Sequence, residues 1–171
     1  DNGSCEVWGV GKGRPSSTSA FEHNLDAEMA QVLQCGSVTI MIHFWKAFET
    51  VAPSILLREA AALLYPMRLM AMLVMSYREP RALKAHGSFS KFTIANQGNI
   101  AGCSHATTCL TIMLLRALKR ASAISPQIKP PALVGDCSIQ WNGDHEGNVK
   151  VLEMAVKGFL DDVKSLKMIV Q

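Results

Sequence analysis

Near the start of the chain, Gly9-Val10-Gly11-Lys12-Gly13-Arg14 has the composition of a loop that cradles phosphate. Backbone N–H groups of such a loop bind the phosphate oxygens, and a lysine at a fixed offset reaches them. The spacing is wrong for that task. Four residues should separate the first glycine from Gly-Lys, with Ser or Thr next, whereas Gly13 follows Lys12. The segment reads as a flexible basic loop. The histidines, His23, His43, His86, His105 and His145, show neither H-x-x-x-H nor H-E-x-x-H spacing, so no zinc-hydrolase site is encoded. No G-x-S-x-G occurs to carry a hydrolase serine. Five cysteines, an odd number with no C-x-x-C pair, make neither a disulfide framework nor a zinc ribbon. They read as buried or partly buried free thiols of a reducing compartment. Asp161-Asp162 is an adjacent acidic pair of a kind that can hold Mg²⁺ at a hairpin turn. Here it falls inside a regular helical pattern, where neighbours point about 100° apart, and reads as part of a solvated face.

Three segments remain. Ile40-Met41-Ile42-His43-Phe44-Trp45-Lys46-Ala47-Phe48-Glu49-Thr50-Val51 ends a buried strand. Gln97-Gly98-Asn99-Ile100-Ala101-Gly102-Cys103-Ser104 is a glycine-containing loop feeding a helix. Leu133-Val134-Gly135-Asp136 sits at the tip of a short hairpin.

The elements that must position them follow from periodicity. A helix is predicted over Ala20–Leu33, with Phe21, Leu25, Met29 and Val32/Leu33 on its core face and Cys35-Gly36-Ser37 as its C-terminal stop. Val38–Ile42 is β-branched and apolar, a buried strand. Pro53 opens a helix that runs to Tyr65, and Pro66 separates it from another over Met67–Tyr77. Met67, Met70, Met72 and Met75 read as core filler. Ala82–Ala85 and Lys91–Ile94 flank a turn at His86-Gly87-Ser88, a hairpin. A helix over Ser104–Arg120 has Ser104 as N-cap and Arg116, Lys119 and Arg120 near its end, where cations suit the helix dipole. Residues 125–131 are a connector, and Ala132–Val134 and Ser138–Trp141 are short strands around Gly135-Asp136-Cys137. The last helix, Asn148–Leu166, carries Val149, Leu152, Val156, Leu160 and Val163 on one face and Lys150, Glu153, Lys157, Asp161 and Lys164 on the other. Met168-Ile169-Val170 closes the chain as a strand. This order predicts an α+β fold, with helices on one face of a small, mostly antiparallel sheet.

Composition bounds the function. In 171 residues, 49% are hydrophobic and 18% charged, which suits a folded core rather than a disordered chain. A net charge of +3 permits nucleic-acid contact without arguing for it. No apolar run reaches the roughly 18 residues of a membrane span, and the polar opening from Asp1 is expected not to be a signal peptide. The expectation is an intracellular protein, in cytoplasm or nucleus, without a membrane partner. Asp1 in place of an initiating Met suggests a piece of a longer reading frame.

Taken in order, the three segments resemble reverse transcriptases of non-LTR retrotransposons. Lys46-Ala47-Phe48-Glu49 matches that family's Asp-x-Ser-Lys-Ala-Phe-Glu stretch. Gly98, Gly102 and Cys103 match its Gly-x-Pro-Gln-Gly-Cys/Ser loop, and the 133–136 hairpin stands where the family carries Tyr/Phe-x-Asp-Asp. Gly11-Lys12-Gly13-Arg14 with Ser16-Ser17-Thr18 is similar to the fingers motif Gly-Phe-Arg-x-Gly-Arg-Ser-Thr, interrupted by Pro15. The resemblance implies a right-hand polymerase fold. Residues 1–37 would supply part of the fingers with a flexible N-terminus, and 38–171 a palm-like domain, the thumb being absent. It implies RNA-directed DNA polymerase ancestry: template-directed nucleotidyl transfer with Mg²⁺ as cofactor and RNA/DNA template-primer and dNTP as partners. It assigns Phe48, Gly102, Lys12 and Arg14 to nucleotide binding. Phe48 is either an aromatic gate against a ribose 2′-OH or a packing residue.

The departures bear on activity. The family's first catalytic Asp aligns with His43, and the first Asp of its hairpin pair with Gly135. Only Asp136 keeps a carboxylate. Two Mg²⁺ need hard oxygen donors, which neutral imidazole and glycine do not supply. The expectation is a pseudoenzyme with no metal bound. The alternative is a non-catalytic nucleic-acid or protein-binding module on a palm-like scaffold.

Overall fold

The structure, a computed structural model, describes residues 16–100, 102–129, 136–143 and 148–171. It is α+β, with five helices and two small antiparallel sheets among the described residues. The chain divides into two compact units, one formed by residues up to Trp45 with Leu114–Gln171, the other by Lys46–Met113.

In the first unit, α1 (Ser16–Val32) leads into β1 (Gly36–His43), which pairs along its whole length with β5 (Asp136–Gly143). A two-residue strand, β4 (Ile128–Lys129), joins the other edge of β5, so the order is β1-β5-β4. Ile128–Lys129 falls in the expected connector, and the expected strand at 132–134 lies outside the described residues. The pleat alternates. Ile42, Cys137, Ile139 and Trp141 are buried, whereas Thr39, Met41 and His43 are exposed. The final helix, α5 (Asn148–Ser165), buries Leu152, Ala155, Phe159 and Val163. Phe159 meets Phe44 edge to face at 6.4 Å. The C-terminal segment pairs beyond β1 through an isolated bridge, Phe44 to Val170, rather than a full strand. There the Trp45 N–H donates to the Ile169 carbonyl and the Gln171 N–H to that of His43.

Three expectations change here. Helices cover both faces of this sheet, not one. The Gln140 amide donates to the His23 carbonyl of α1 at 3.4 Å, while α5 borders Val38 and Ile40, which have the opposite parity. The stripe Phe21, Leu25, Met29, Val32 and Leu33 is exposed, and among the described side chains of α1 it is Ala30 that is buried. The sheet face that α1 meets is polar at Ser37, Gln140 and Asn142, and a small side chain admits the closer approach. Finally, α1 is stopped by Gln34 at φ 54°, not by glycine. The Cys35 N–H returns to Ala30 and the Gln34 N–H to Gln31. Gly36 belongs to β1, where a Cβ would stand 3.1 Å from the Gly143 carbonyl oxygen.

In the second unit, α2 (Pro53–Ala62) and α3 (Met67–Tyr77) form a helical hairpin across Pro66. Helix α2 ends three residues before the expected Tyr65, at a reversal with Leu64 at φ 55°. Of the methionine set only Met70 is buried; Met67, Met72 and Met75 are exposed, so the core-filler reading applies to Met70 alone. A short hairpin, β2 (Lys84–Ala85) and β3 (Ser88–Phe89), turns at His86 and Gly87, both at positive φ, as two-residue hairpin turns require. The expected strand at 91–94 is reduced to a single bridge, Arg81 to Thr93, and Leu83, Phe89, Phe92 and Ile94 are exposed. Helix α4 (Ala106–Ser122) begins two residues after the expected N-cap Ser104 and crosses the unit boundary. No described helix is long and apolar enough to cross a membrane.

Candidate functional site

Two strand ends meet in the first unit. β1 finishes at His43, β5 starts at Asp136, and the antiparallel register makes them direct partners. Such partners have Cα atoms roughly 4.5–5.5 Å apart. They meet despite being 93 positions apart in the chain (136 minus 43). Ile40 opposite Ile139 and Ile42 opposite Cys137 set this register by placing four apolar residues on one face, three of them buried and Ile40 half-buried. His43 is exposed. Gly135, Lys12 and Arg14 lie outside the described residues.

This donor set does not fit the two-Mg²⁺ site that the resemblance implies. Two ions about 3.5–4 Å apart need shared carboxylate oxygens, and the partner of Asp136 is an imidazole. Among the described residues no three His, Cys, Asp or Glu side chains converge to hold a metal.

In the second unit the glycine loop meets the end of the first segment, from Lys46 onward. The chain leaves β1 through a tight turn with Lys46 at φ 48°, closed by the Thr50 N–H on the Lys46 carbonyl. The glycine loop then docks on this turn. The Gly98 N–H donates to the Val51 carbonyl and the Asn99 N–H to the Phe48 carbonyl, each at 2.8 Å. Gly98 is at φ 91°, and a Cβ there would stand 2.8 Å from the Glu49 carbonyl oxygen. Phe48 is half-buried, and its carbonyl is occupied by the loop. Gly102 is exposed at φ 83° with open space around it, so glycine serves the backbone bend alone. Phe48 and Gly102 thus belong to the second unit, and His43 and Asp136 to the first.

A third group was not visible in the spacing of residues. The Tyr77 hydroxyl, at the end of α3, donates to the Cys103 thiol at 3.3 Å. That hydroxyl, with the backbone N–H groups of His105 and Ala106, holds the Cys103 thiol below its ordinary value. Burial first, then the contact with Cys103, pushes the Tyr77 phenol well above the usual range. Cys109, buried in α4, is pushed up to about 11, chiefly by burial. The signal available in sequence was limited to Cys103 standing just before a helix, where backbone N–H groups gather.

No family model and no curated protein matches this chain.

Proposed function

We propose that the chain is a reverse-transcriptase-like palm, with a piece of the fingers in residues 1–37, that has lost nucleotidyl transfer. The observation that carries this reading is the register of β1 on β5. It makes position 43 the partner of Asp136, which is the juxtaposition a palm needs to gather its carboxylates from two strand ends. The docking of Gly98 and Asn99 on Phe48–Val51 supports it too, since the resemblance draws on both segments. Loss of catalysis follows from the donors. An imidazole at 43 and a glycine at 135 leave Asp136 as the remaining carboxylate. By lineage the partners are an RNA or DNA template-primer and dNTP.

The test is primer extension with purified chain, Mg²⁺, dNTPs and a labelled primer on RNA or DNA template. No extension is expected. Template-dependent incorporation, abolished by Asp136→Ala, would overturn the loss of activity. A second arm addresses lineage through Mn²⁺ binding read by paramagnetic relaxation. The double variant His43→Asp/Gly135→Asp should gain a site that the parent and both single variants lack. A folded double variant that binds no more Mn²⁺ than the parent would sink the palm assignment.

A further inference from the structure

Independently of that reading, the surface of α5 carries an unassigned feature. The helix buries Leu152, Ala155, Phe159 and Val163, so the apolar residues beside them are left over. Val149, Val156 and Leu160 line an open groove of about 570 Å³, and Val38 and Ile40 of β1 form its other wall. Val149 is 60% exposed and Val38 40%. Moreover, β1 is an edge strand of the described sheet, so the groove lies at the margin of the sheet and is open on that side.

The charges along the groove say what covers it. Glu153, Lys157, Asp161 and Lys164 line it at spacings of three or four residues and alternate in sign. They span about 17 Å of helix at 1.5 Å per residue. Lys150 and Lys167, beyond the two ends of this row, do not line the groove. We propose that the groove is a self-association surface, on which a second copy of this chain packs its α5 antiparallel to the first. Reversing the row sets Glu153 against Lys164 of the second copy and Lys157 against its Asp161, so every facing pair is of opposite sign. A parallel copy would set each residue near its own like charge. The antiparallel arrangement is also the one that a two-fold axis across the helices generates, with the same patch used by both copies. The apolar strip supplies the attraction. The rim charges, individually weak at an exposed surface, select the direction.

Sedimentation velocity on the full chain from low to high micromolar concentration should show a monomer–dimer equilibrium. Lys157→Glu and Asp161→Lys should each weaken the dimer by about tenfold, because each change makes two symmetry-related repulsions. Both sites are exposed, so both variants should fold as the parent does. Mixing the two variants in equal amounts should restore dimer, as a one-to-one heterodimer, and so should combining both changes in one chain. Leu160→Asp should abolish association. A chain that stays monomeric at all concentrations overturns the proposal, as does a dimer indifferent to Leu160→Asp. Single variants that weaken the dimer but are not rescued by mixing exclude the antiparallel arrangement. A monomer whose groove binds a hydrophobic dye, with binding lost in Leu160→Asp, assigns the groove to a small apolar ligand instead.

Discussion

Gly98 is the residue at which backbone chemistry is most demanding. Its φ of 91° lies where L side chains rarely go, and a Cβ would press on the Glu49 carbonyl. Gly98→Ala should therefore cost about 1–3 kcal/mol, read by chemical denaturation. Gly87→Ala is the internal comparison. It has similar φ but open space around the Cβ, so it should cost less. Equal losses would mean that the contact with Glu49 contributes nothing. Cys103 makes a second demand, this time on protonation. Its thiol is held low by the Tyr77 hydroxyl and two backbone N–H groups, whereas Cys109 and Cys137 are pushed up by burial. A depressed value means thiolate is present at lower pH, so alkylation of Cys103 should have its midpoint below that of an ordinary thiol. Tyr77→Phe should move that midpoint up. Mass spectrometry of iodoacetamide-labelled peptides across pH checks both, and an unmoved midpoint in Tyr77→Phe would remove the hydroxyl from the account.

Helix phase is where sequence and structure part company at the scale of elements. The strand at 38–42 was legible as a short apolar, β-branched run and the one near 138–141 by its flanking turn residues, although of 38–42 only Ile42 is buried. The adjacency of His43 and Asp136 was implied by the resemblance; the pattern marks the two strands but does not pair them. Helix α5 was legible as a helix, but its core face was misjudged by part of a turn. Its apolar residues extend beyond the buried face: Val149 and Met154 are exposed, and Val156 and Leu160 are half-buried. Periodicity alone does not say which part the core takes. The ring of Phe159 decides it by packing on Phe44, so Ala155 turns inward with it while Val149 and Leu160 move to the flank. Helix α1 was misread in the same way, by size of side chain: its large apolar residues are outside and Ala30 is inside. The phase is testable in one series. Phe159→Ala should destabilise by about 3–5 kcal/mol, as large core truncations do. Leu160→Ala should cost clearly less, and Asp161→Ala about 0.5 kcal/mol or less. A loss at Leu160 matching that at Phe159 would restore the phase read from sequence.

The whole molecule keeps a buried, neutral thiol in each of its two units, Cys109 in one and Cys137 in the other. The pairing of strand ends was implied by the resemblance and not by any local pattern, and the docking of the glycine loop on Phe48–Val51 was not foreseen. Free thiols, buried or partly buried, were expected as a class, and Cys35 and Cys103 are partly buried while Cys109 and Cys137 are buried; which thiol is sealed depends on how distant elements close over it. Cys137 stands in β5 opposite Ile42, with no solvent exposure, and burial pushes its thiol up to about 12. Cys109, equally enclosed in α4, is pushed up to about 11. An unfolded thiol ionises near 8.5. Between that value and the folded one, the unfolded chain has released a proton that the folded chain still holds. The folded state then binds more protons, so stability must fall as pH rises. The contribution of each thiol is complete below about pH 8.5 and is lost progressively above it, by about 1.4 kcal/mol per pH unit per thiol. Denaturant unfolding measured from pH 8 to 10.5 should show this decline. Other groups also titrate in that range, so the decisive comparison is the slope in Cys137→Ala. Removing the thiol creates a small cavity that lowers stability by a similar amount at every pH, and it also removes one titrating group. The variant should start less stable than the parent and lose stability more slowly as pH climbs. Parallel curves for the two proteins would mean that Cys137 ionises in the fold as readily as in the unfolded chain, and that β1, β5 and α5 do not seal this face of the sheet from solvent.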